Sequence, residues 1–261
     1  MKKLIVSDLD GTLIPEGTQT IDPDFWPALD RLLEQGYLFY AASGRQYANM
    51  RRLFADYGDR IGFISENGSV VTEAEQVVFV DELPPKLMRE VAEDMMRFPM
   101  AEICLSGVKA CYIKPRTEWF ANQIENVLQN VTGRFESLDQ IDDRIVKSSI
   151  YIHDFEKHVG EIQGYFQERY GEYADFVLAG NGWLDMILKG SGKGKALNFV
   201  LERKGIAPED VVVFGDNQND ISMLEAVPCS YAVESAKPEV KTHAARTCAS
   251  VAGVLREILL M

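Results

Sequence analysis

Short, continuous apolar runs recur along the chain, and each is followed by polar residues or glycine. Three such runs lie at residues 4–6, 37–42 and 211–214. Runs of this kind are typical of strands in a parallel sheet that is covered on both faces, because such strands keep no polar face. A helix is predicted between the first two runs, where Asp22-Pro23 provides a start signal and Gly36 a stop signal. Strand and helix alternation predicts an α/β fold with a parallel sheet.

The pattern changes at Leu83-Pro84-Pro85 and recovers near Leu188. Between these points the predicted order is helix, hairpin, helix, strand, helix, strand, strand. The helices are predicted at 84–97, 117–129 and 155–170, and two of the strands at 146–152 and 176–178. This order favours an antiparallel sheet with helices on one face. We therefore expect a discontinuous core domain, residues 1–82 and 188–261, and an inserted domain, residues 83–187.

Asp8-Leu9-Asp10-Gly11-Thr12 follows the first apolar run and carries two carboxylates two residues apart. In extended backbone both side chains leave on the same face, and the glycine lets the chain turn beneath them. Carboxylates on one face repel each other, so the pattern favours a cation or a shared proton. Mg²⁺ takes oxygen ligands and leaves room for a substrate phosphate. The segment predicts magnesium-assisted phosphoryl transfer, with an ordinary solvated turn as the alternative.

Three further polar segments lie at strand ends or helix starts. Ser43-Gly44-Arg45 follows the second run and offers a phosphate a hydroxyl and an approachable amide. The acidic turn 215–220 follows the third run, and the basic, glycine-rich turn 189–195 precedes a predicted helix at 196–204. Taken singly, each segment has an alternative as a turn, a solvated lysine or a capping pair. Because open α/β sheets bind ligands at the carboxyl ends of their strands, together they predict one site.

These segments, in this order, resemble the motifs of the haloacid dehalogenase (HAD) superfamily, and more narrowly its Cof-type phosphatases with a large, type C2 cap. The resemblance runs from Leu4 to the C-terminus and includes Glu66-Asn67-Gly68. It implies a Rossmann-like parallel-sheet core with an inserted α+β cap domain. Ser43 stands where the subfamily often has threonine, and Asn217 stands where a small residue is common.

The resemblance implies a catalytic or metal-binding role for the acidic positions. Asp8 is expected to be the nucleophile that forms an aspartyl-phosphate. Asp10 is expected to protonate the leaving oxygen and then to activate water. The side chains of Asp8 and Asp216, with the backbone carbonyl of Asp10, are expected to bind Mg²⁺. Asp220 is expected either to contact the groups that bind the metal, without binding it directly, or to hold Lys193.

The resemblance also implies residues that bind the substrate. The expected ligands of the phosphoryl oxygens are Ser43, Gly44, Lys193 and Asn219. Arg45 and Asn67 are expected to face the substrate, with a salt bridge and a turn as their respective alternatives. Thr12 is a further candidate. In the inserted domain the candidates are Arg116, Trp119, Trp183 and Asp185, for which packing or solvation is the favoured interpretation. The substrate class most often implied is a sugar phosphate.

The composition restricts the partners. The 261 residues carry 27 basic and 40 acidic side chains, a formal net charge of −13. Such a surface repels nucleic acid and anionic membranes, whose binding needs clustered lysine and arginine. A small phosphate ester stays possible because physiological salt screens the field within about 8 Å. No apolar run is long enough for a signal peptide or a membrane span, so we expect a cytoplasmic protein. We infer no obligate protein partner from the sequence.

Two of the four cysteines lie in the predicted hairpin of the inserted domain. A turn near Gly107-Val108 would set Cys104 directly opposite Cys111. That register would permit a disulfide, but the expected cytosolic location favours two reduced thiols in an apolar strand pair.

Other functions are compatible with parts of the pattern. A nucleotide-binding phosphate loop ending at Lys193 would need glycine at position 187, which is Ile187, and Ser or Thr where Gly194 stands. A non-catalytic phospho-receiver or ligand-binding module would share the acids, hydroxyl and lysine, but not an inserted domain of this size. A phosphomutase on the same core stays open.

Overall fold

The structure, a computed structural model, describes residues 3–18, 20–178 and 182–260. It divides into two compact units. The first unit comprises the residues up to Phe79 and from Gly192 onward, and the second unit is Val80–Ser191. In the described ranges, no helix combines the length and apolarity needed to cross a membrane.

The described residues form the following helices and strands. In chain order they are β1 (Leu4–Asp8), α1 (Phe25–Glu34), β2 (Leu38–Ala42), α2 (Tyr47–Leu53), β3 (Gly62–Ser65), β4 (Val70–Glu73), β5 (Gln76–Val80), α3 (Pro85–Met95), β6 (Ala101–Gly107), β7 (Cys111–Lys114), α4 (Glu118–Asn122), β8 (Thr132–Arg134), β9 (Ile145–Ile152), α5 (Phe155–Tyr170), β10 (Ala174–Leu178), β11 (Trp183–Leu188), α6 (Lys193–Lys204), β12 (Val211–Gly215), α7 (Ile221–Glu225), β13 (Ser230–Val233), α8 (Pro238–Lys241), β14 (Arg246–Cys248) and α9 (Val251–Leu260). A π-helical turn, Gln123–Val127, continues α4, and 3-10 turns include Glu66–Gly68 and Gln218–Asp220.

The sheet of the first unit has the strand order β14-β13-β12-β1-β2-β3-β4-β5. Neighbours from β14 to β3 run parallel, and β4 runs antiparallel to β3. Ile5 packs in one core with residues of α1 and α9, whereas Leu4 and Val6 pack in another with residues of α6 and α7. Both faces are therefore covered, which is why these strands are continuously apolar. The α/β fold with a parallel-strand sheet is confirmed.

The sheet of the second unit has the strand order β10-β11-β9-β6-β7-β8. Its neighbours are antiparallel except β7 and β8, which run parallel. Helices α3 and α5 cover one face, but Phe120 and Ile124 pack on the other face against Cys104 and Ile113. The expectation of antiparallel strands with helices on one face is therefore wrong in part. A parallel pair needs a crossover, and the segment that makes it here covers the second face.

The hairpin of β6 and β7 has a different register from the predicted one. Ser106 pairs with Cys111, and Cys104 pairs with Ile113. The prediction that Cys104 lies directly opposite Cys111 is wrong, because the turn closes one residue later, where Gly107 N–H donates to the Ala110 carbonyl at 2.8 Å. Neither cysteine forms a disulfide.

Several helix boundaries also differ from the predicted ones. Helix α1 begins at Phe25, because the Asp22 carboxylate accepts the N–H of Asp24 at 2.9 Å in a turn that precedes the helix. The helix predicted at 117–129 is α-helical only to Asn122 and continues as the π-helical turn. Helix α6 begins at Lys193, so this lysine belongs to the first turn of the helix.

Candidate active site

Four neighbouring parallel strands end at one edge of the first unit's sheet. Strand β1 ends at Asp8, and Ser43 follows β2. Glu66 and Asn67 follow β3, and Asp216 follows β12. Because these strands are adjacent and parallel, their carboxyl ends place the chemistry-bearing side chains side by side.

Lys193 lies completely buried between two carboxylates. Its Nζ donates to Asp8 Oδ1 and, at 2.6 Å, to Asp220 Oδ1. Burial disfavours the ammonium, but the charges of Asp220 and Asp8 outweigh it and raise the pKa of Lys193 above its ordinary value. A buried lysine therefore stays charged here because it is paired twice.

Asp220 holds the loop that follows β12. Its Oδ2 accepts the backbone N–H groups of Asp216 and Asn217 at 2.9 and 3.0 Å. Its Oδ1 is bound by Lys193, so both oxygens have protein partners. Gly215 allows this approach, because a Cβ there would lie 2.6 Å from the Asp220 Cβ. Asp220 thus fixes both Lys193 and Asp216.

The carboxylates of Asp8 and Asp216 lie close to each other. One oxygen from each of Asp8, Asp216 and Asp220 lies within 4.8 Å of the others. Asp8 Oδ2 is buried without a hydrogen-bond partner among the described residues. Asp216 Oδ1 accepts the Thr12 hydroxyl at 2.8 Å. Gly11, at φ +92°, has no side chain to displace the Asp216 carboxylate.

This cluster carries more negative than positive charge. Burial raises the pKa of Asp8 well above its ordinary value, the charge of Asp220 adds to this, and Lys193 opposes it only in part. Burial also raises the pKa of Asp216, although the hydrogen bond from Thr12 opposes it. Both directions mean that the ionised forms of Asp8 and Asp216 are disfavoured here, and a bound cation would offset this. Hard oxygen donors and a buried, unpartnered carboxylate oxygen fit a divalent metal such as Mg²⁺.

The Asp10 side chain lies in different surroundings. Arg45 Nε donates to Asp10 Oδ2 at 2.9 Å, Arg45 Nη2 contacts Asp10 Oδ1, and the Ser43 hydroxyl lies 3.4 Å from Oδ2. The Asp10 side chain is 50% exposed, in contrast to the buried Asp8. The salt bridge that is the alternative for Arg45 is therefore present, and its substrate-facing role stays a prediction.

Ser43, Gly44, Asn67 and Asn219 form the other side of the site. Ser43 Oγ accepts the N–H of Arg45 at 3.1 Å. Asn219 Nδ2 donates to Asn67 Oδ1 at 3.1 Å. A Cβ on Gly44 would lie 2.8 Å from the same Asn67 oxygen. The structure therefore brings together every site residue predicted in the first unit.

The candidates in the second unit have structural partners. Trp119 is about half exposed and lies with its ring centroid 5.0 Å from that of Tyr151. Trp183 packs on Phe120 and Tyr151. Asp185 is buried with its Oδ2 3.6 Å from Lys147 Nζ, and Arg116 donates its backbone N–H to Glu102. These contacts are compatible with the favoured structural interpretation, and a substrate-binding role for these four residues stays a prediction.

Sequence reasoning gave no role to Glu66. It is buried at the site edge at φ 49°, and its N–H donates to the Arg45 carbonyl at 3.1 Å. Its position directly after β3 was the available signal, because the other site residues also follow strands.

Comparison with known proteins gives one family. A family model described as haloacid dehalogenase-like hydrolase matches residues 5–258. The 5-amino-6-(5-phospho-D-ribitylamino)uracil phosphatase of Escherichia coli K12 is 29% identical over 234 residues, which cover 90% of this chain and 86% of the relative. The HMP-PP phosphatase of Yersinia enterocolitica is 25% identical over 250 residues, which cover 92% and 87% of the two chains.

Solved structures share the fold over the whole chain. A crystal structure from Eubacterium rectale matches with a TM-score of 0.87 at 28% identity and covers 98% of this chain and 99% of the other. A sugar phosphatase of HAD subclass IIB matches with a TM-score of 0.82 at 20% identity and covers 99% and 100%. At that identity the second likeness shows the fold alone.

Proposed function

This chain belongs to the haloacid dehalogenase-like hydrolases, and we propose that it is a magnesium-dependent phosphatase acting through an aspartyl-phosphate on Asp8. It is an enzyme of the phosphatase class, as are its named relatives. The observation that carries the proposal is the environment of Asp8. This carboxylate is buried at a strand end and is held through Oδ1 by Lys193, while its Oδ2 has no hydrogen-bond partner within residues 3–18, 20–178 and 182–260.

Asp8 is suited to nucleophilic attack. Lys193 and the β1 backbone fix its direction, and burial keeps water from competing with the substrate. In the first step an Asp8 oxygen forms a bond to phosphorus while the bond from phosphorus to the ester oxygen breaks. In the second step a water oxygen bonds to phosphorus and the bond to Asp8 breaks, which releases inorganic phosphate.

Asp8 Oδ2 and the Asp216 carboxylate, with the backbone carbonyl of Asp10, are the proposed ligands of Mg²⁺, which leaves Asp8 Oδ1 as the proposed attacking oxygen. When bound, the ion supplies positive charge that offsets the carboxylates and the phosphoryl oxygens. Asp220 takes no direct part as a ligand, because its oxygens hold Lys193 and the backbone of the Asp216 loop.

Asp10 is the proposed acid and base. Its half-exposed carboxylate can exchange protons with solvent, unlike that of Asp8. It gives a proton to the leaving oxygen in the first step and takes one from water in the second. Arg45 binds both carboxylate oxygens and so sets the direction in which Asp10 faces.

Phosphoryl oxygens are held by donors on three loops. The proposed donors are the Ser43 hydroxyl, the Gly44 amide, the Lys193 ammonium and the Asn219 amide group. Their separation over different strand ends lets them surround the transferring group, and charge-assisted hydrogen bonds of this kind are the strong ones.

We propose a small phosphorylated metabolite as substrate, with a sugar phosphate or a phosphorylated polyol chain as its class. The name of the Escherichia coli relative's substrate contains a 5-phospho-D-ribityl group, which supports this class. A panel of sugar phosphates, the ribitylaminouracil phosphate and nucleotides, assayed for released phosphate with Mg²⁺, tests it. Preference for a polyol or sugar phosphate supports the class, and preference for nucleotides contradicts it.

We further propose that residues 1–82 and 188–261 form the catalytic core and that residues 83–187 select the substrate. All proposed catalytic and phosphoryl-binding residues lie in the first unit, which supports this division. Substitutions at exposed Trp119 are expected to change relative rates among substrates but leave Mg²⁺ binding unchanged. Loss of Mg²⁺ binding in a folded Trp119 variant contradicts the division.

A phosphomutase on the same core is the second candidate, since it would use the same nucleophile. Product analysis with a sugar phosphate separates the two, because a mutase returns an isomeric sugar phosphate and a phosphatase returns inorganic phosphate. The relatives' names favour the phosphatase over a mutase and over a non-catalytic receiver.

A further inference from the structure

The turn Glu66–Gly68 has an unusual backbone for its sequence. Three successive residues have positive φ angles: Glu66 at 49°, Asn67 at 57° and Gly68 at 99°. Two of them carry side chains, and left-handed backbone is disfavoured for most such residues, although asparagine tolerates it. Strained backbone that persists beside a reaction site indicates a position that the surrounding structure enforces.

The backbone of this turn is bonded to the loop that follows β2. Asn67 N–H donates to the Ser43 carbonyl at 3.0 Å, and Glu66 N–H donates to the Arg45 carbonyl at 3.1 Å. Gly68 also lies so close to the Gly192 carbonyl and the Lys193 amide that a side chain there would collide with them. The turn therefore contacts two of the loops that carry phosphoryl-binding residues.

The Asn67 side chain reaches the third such loop. Its Oδ1 accepts a hydrogen bond from Asn219 Nδ2 at 3.1 Å. The same oxygen lies over Gly44, at 2.8 Å from where a Cβ would be. One carboxamide thus spans the gap between the loop after β2 and the loop after β12.

This contact determines what Asn219 can donate. An amide nitrogen carries two protons, and Asn67 Oδ1 takes one of them. The other N–H then points in a fixed direction and can donate a hydrogen bond to an anion in the site. Without Asn67, the Asn219 amide group could rotate, and the donor would be lost for part of the time.

We infer that Asn67 is a positioning residue for the phosphoryl site, which acts by orienting Asn219 and by setting the spacing between Asn219 and Gly44. This role differs from the substrate-facing role predicted from the sequence, and it rests on the proposed phosphatase function. Because Asn67 acts at the phosphoryl group, its effect is the same for every ester and for inorganic phosphate.

The test uses Asn67→Gly in the full chain. Glycine adopts the left-handed backbone and keeps the N–H that bonds to Ser43, so the side chain with its carboxamide is removed while the turn is kept. Inorganic phosphate is measured as a competitive inhibitor with Mg²⁺ present, and kcat and KM are measured with two unrelated esters. Loss of a hydrogen bond that orients an anion-binding group weakens binding by roughly 5- to 10-fold. Ki for phosphate and KM for both esters should therefore rise by about that factor.

Two further variants separate this role from its alternatives. Asn219→Ala should weaken phosphate binding as much as Asn67→Gly, and the double variant should be no worse than either single one. Asn67→Ala tests the backbone, because it adds left-handed strain and should lower the melting temperature where Asn67→Gly does not.

The outcomes are distinct. A double variant whose defect equals the product of the single defects overturns the inference, as does a defect confined to one ester, which would indicate contact with the leaving group. Wild-type phosphate binding in a folded Asn67→Gly variant also overturns it while leaving the phosphatase function intact. Absence of phosphate release by the wild-type protein with any ester overturns the proposed function and this inference together.

Discussion

The guanidinium of Arg45 binds the carboxylate of Asp10 through two nitrogens, because Nε donates to Oδ2 at 2.9 Å and Nη2 donates to Oδ1. Asp8, only two residues earlier, is instead buried against Lys193. The two carboxylates that the sequence places side by side are thus separated by their partners. Neighbouring acids with different environments can hold different roles, one as nucleophile and one as acid and base.

The first prediction concerns Arg45. If it positions Asp10, Arg45→Ala should matter most for leaving groups that need a proton. Because a positioned acid contributes about 10²–10⁴-fold, we expect kcat to fall by about tenfold or more for an alkyl phosphate and far less for an activated aryl phosphate. Arg45→Lys should not restore the rate, because an ammonium lacks the planar fork. An equal loss with both substrates would contradict the positioning role.

The second prediction concerns the buried ammonium. Lys193→Met leaves Asp8 and Asp220 facing each other without their common partner. Breaking a buried ion pair costs about 3–5 kcal/mol, so urea unfolding in chelator at neutral pH should show a loss of that order. Lys195→Met, on the same helix but exposed, is the matched control and should change stability by less than about 0.5 kcal/mol.

The loss of stability in Lys193→Met should depend on pH in a defined direction. Burial raises the pKa of Asp8, so the folded chain binds its proton at a higher pH than the unfolded chain does. Stability from such a group is present below the unfolded carboxyl pKa of about 4 and is lost as the pH rises through the folded pKa. The variant should therefore regain part of its stability as the pH is lowered from 7 toward 5, and a further loss over that range would contradict the charge assignment.

The third prediction concerns the metal. Mg²⁺ that binds only the folded protein should raise the melting temperature. At a concentration of about ten times its Kd, such a ligand raises the free energy of unfolding by roughly 1.4 kcal/mol. Asp216→Asn removes a proposed ligand and should abolish this increase, while Asp59→Asn, an exposed acid in the same unit, should keep it. Equal Mg²⁺ stabilisation of the wild type and the Asp216 variant would remove Asp216 from the metal site.

The convergence of the site could be predicted from the sequence because it depends on a topological rule. Asp8, Ser43 and Asp216 each follow an apolar run, and adjacent parallel strands bring such ends together. The partner of Arg45 could not be predicted, since its side-chain direction depends on the turn after β2 and leaves no periodic signal. The same holds for the contact between Asn67 and Asn219, which joins residues far apart in the chain.

The register of the β6–β7 hairpin shows a different limit. A shift of two residues in the pairing keeps Cys104 and Cys111 on the same face of the sheet, so the apolar pattern accepts either register. Only the turn, closed by the Gly107 N–H on the Ala110 carbonyl, decides between them. The π-helical turn after α4 could not be predicted for a similar reason. Phe120 and Ile124 have a spacing that is compatible with both α-helical and π-helical hydrogen bonding.

The central claim is that Asp8 is the nucleophile and Asp10 the acid and base. Rapid-quench trapping of labelled phosphate on the protein, with a highly activated ester and Mg²⁺, tests it most directly. Asp8→Asn should show no phosphoenzyme burst, because a neutral amide cannot attack phosphorus as a carboxylate does. Asp10→Asn should show a burst followed by slow hydrolysis, because such a leaving group needs no proton but the attacking water does. A burst from the Asp8 variant, or label on any other residue of the wild type, would contradict the account.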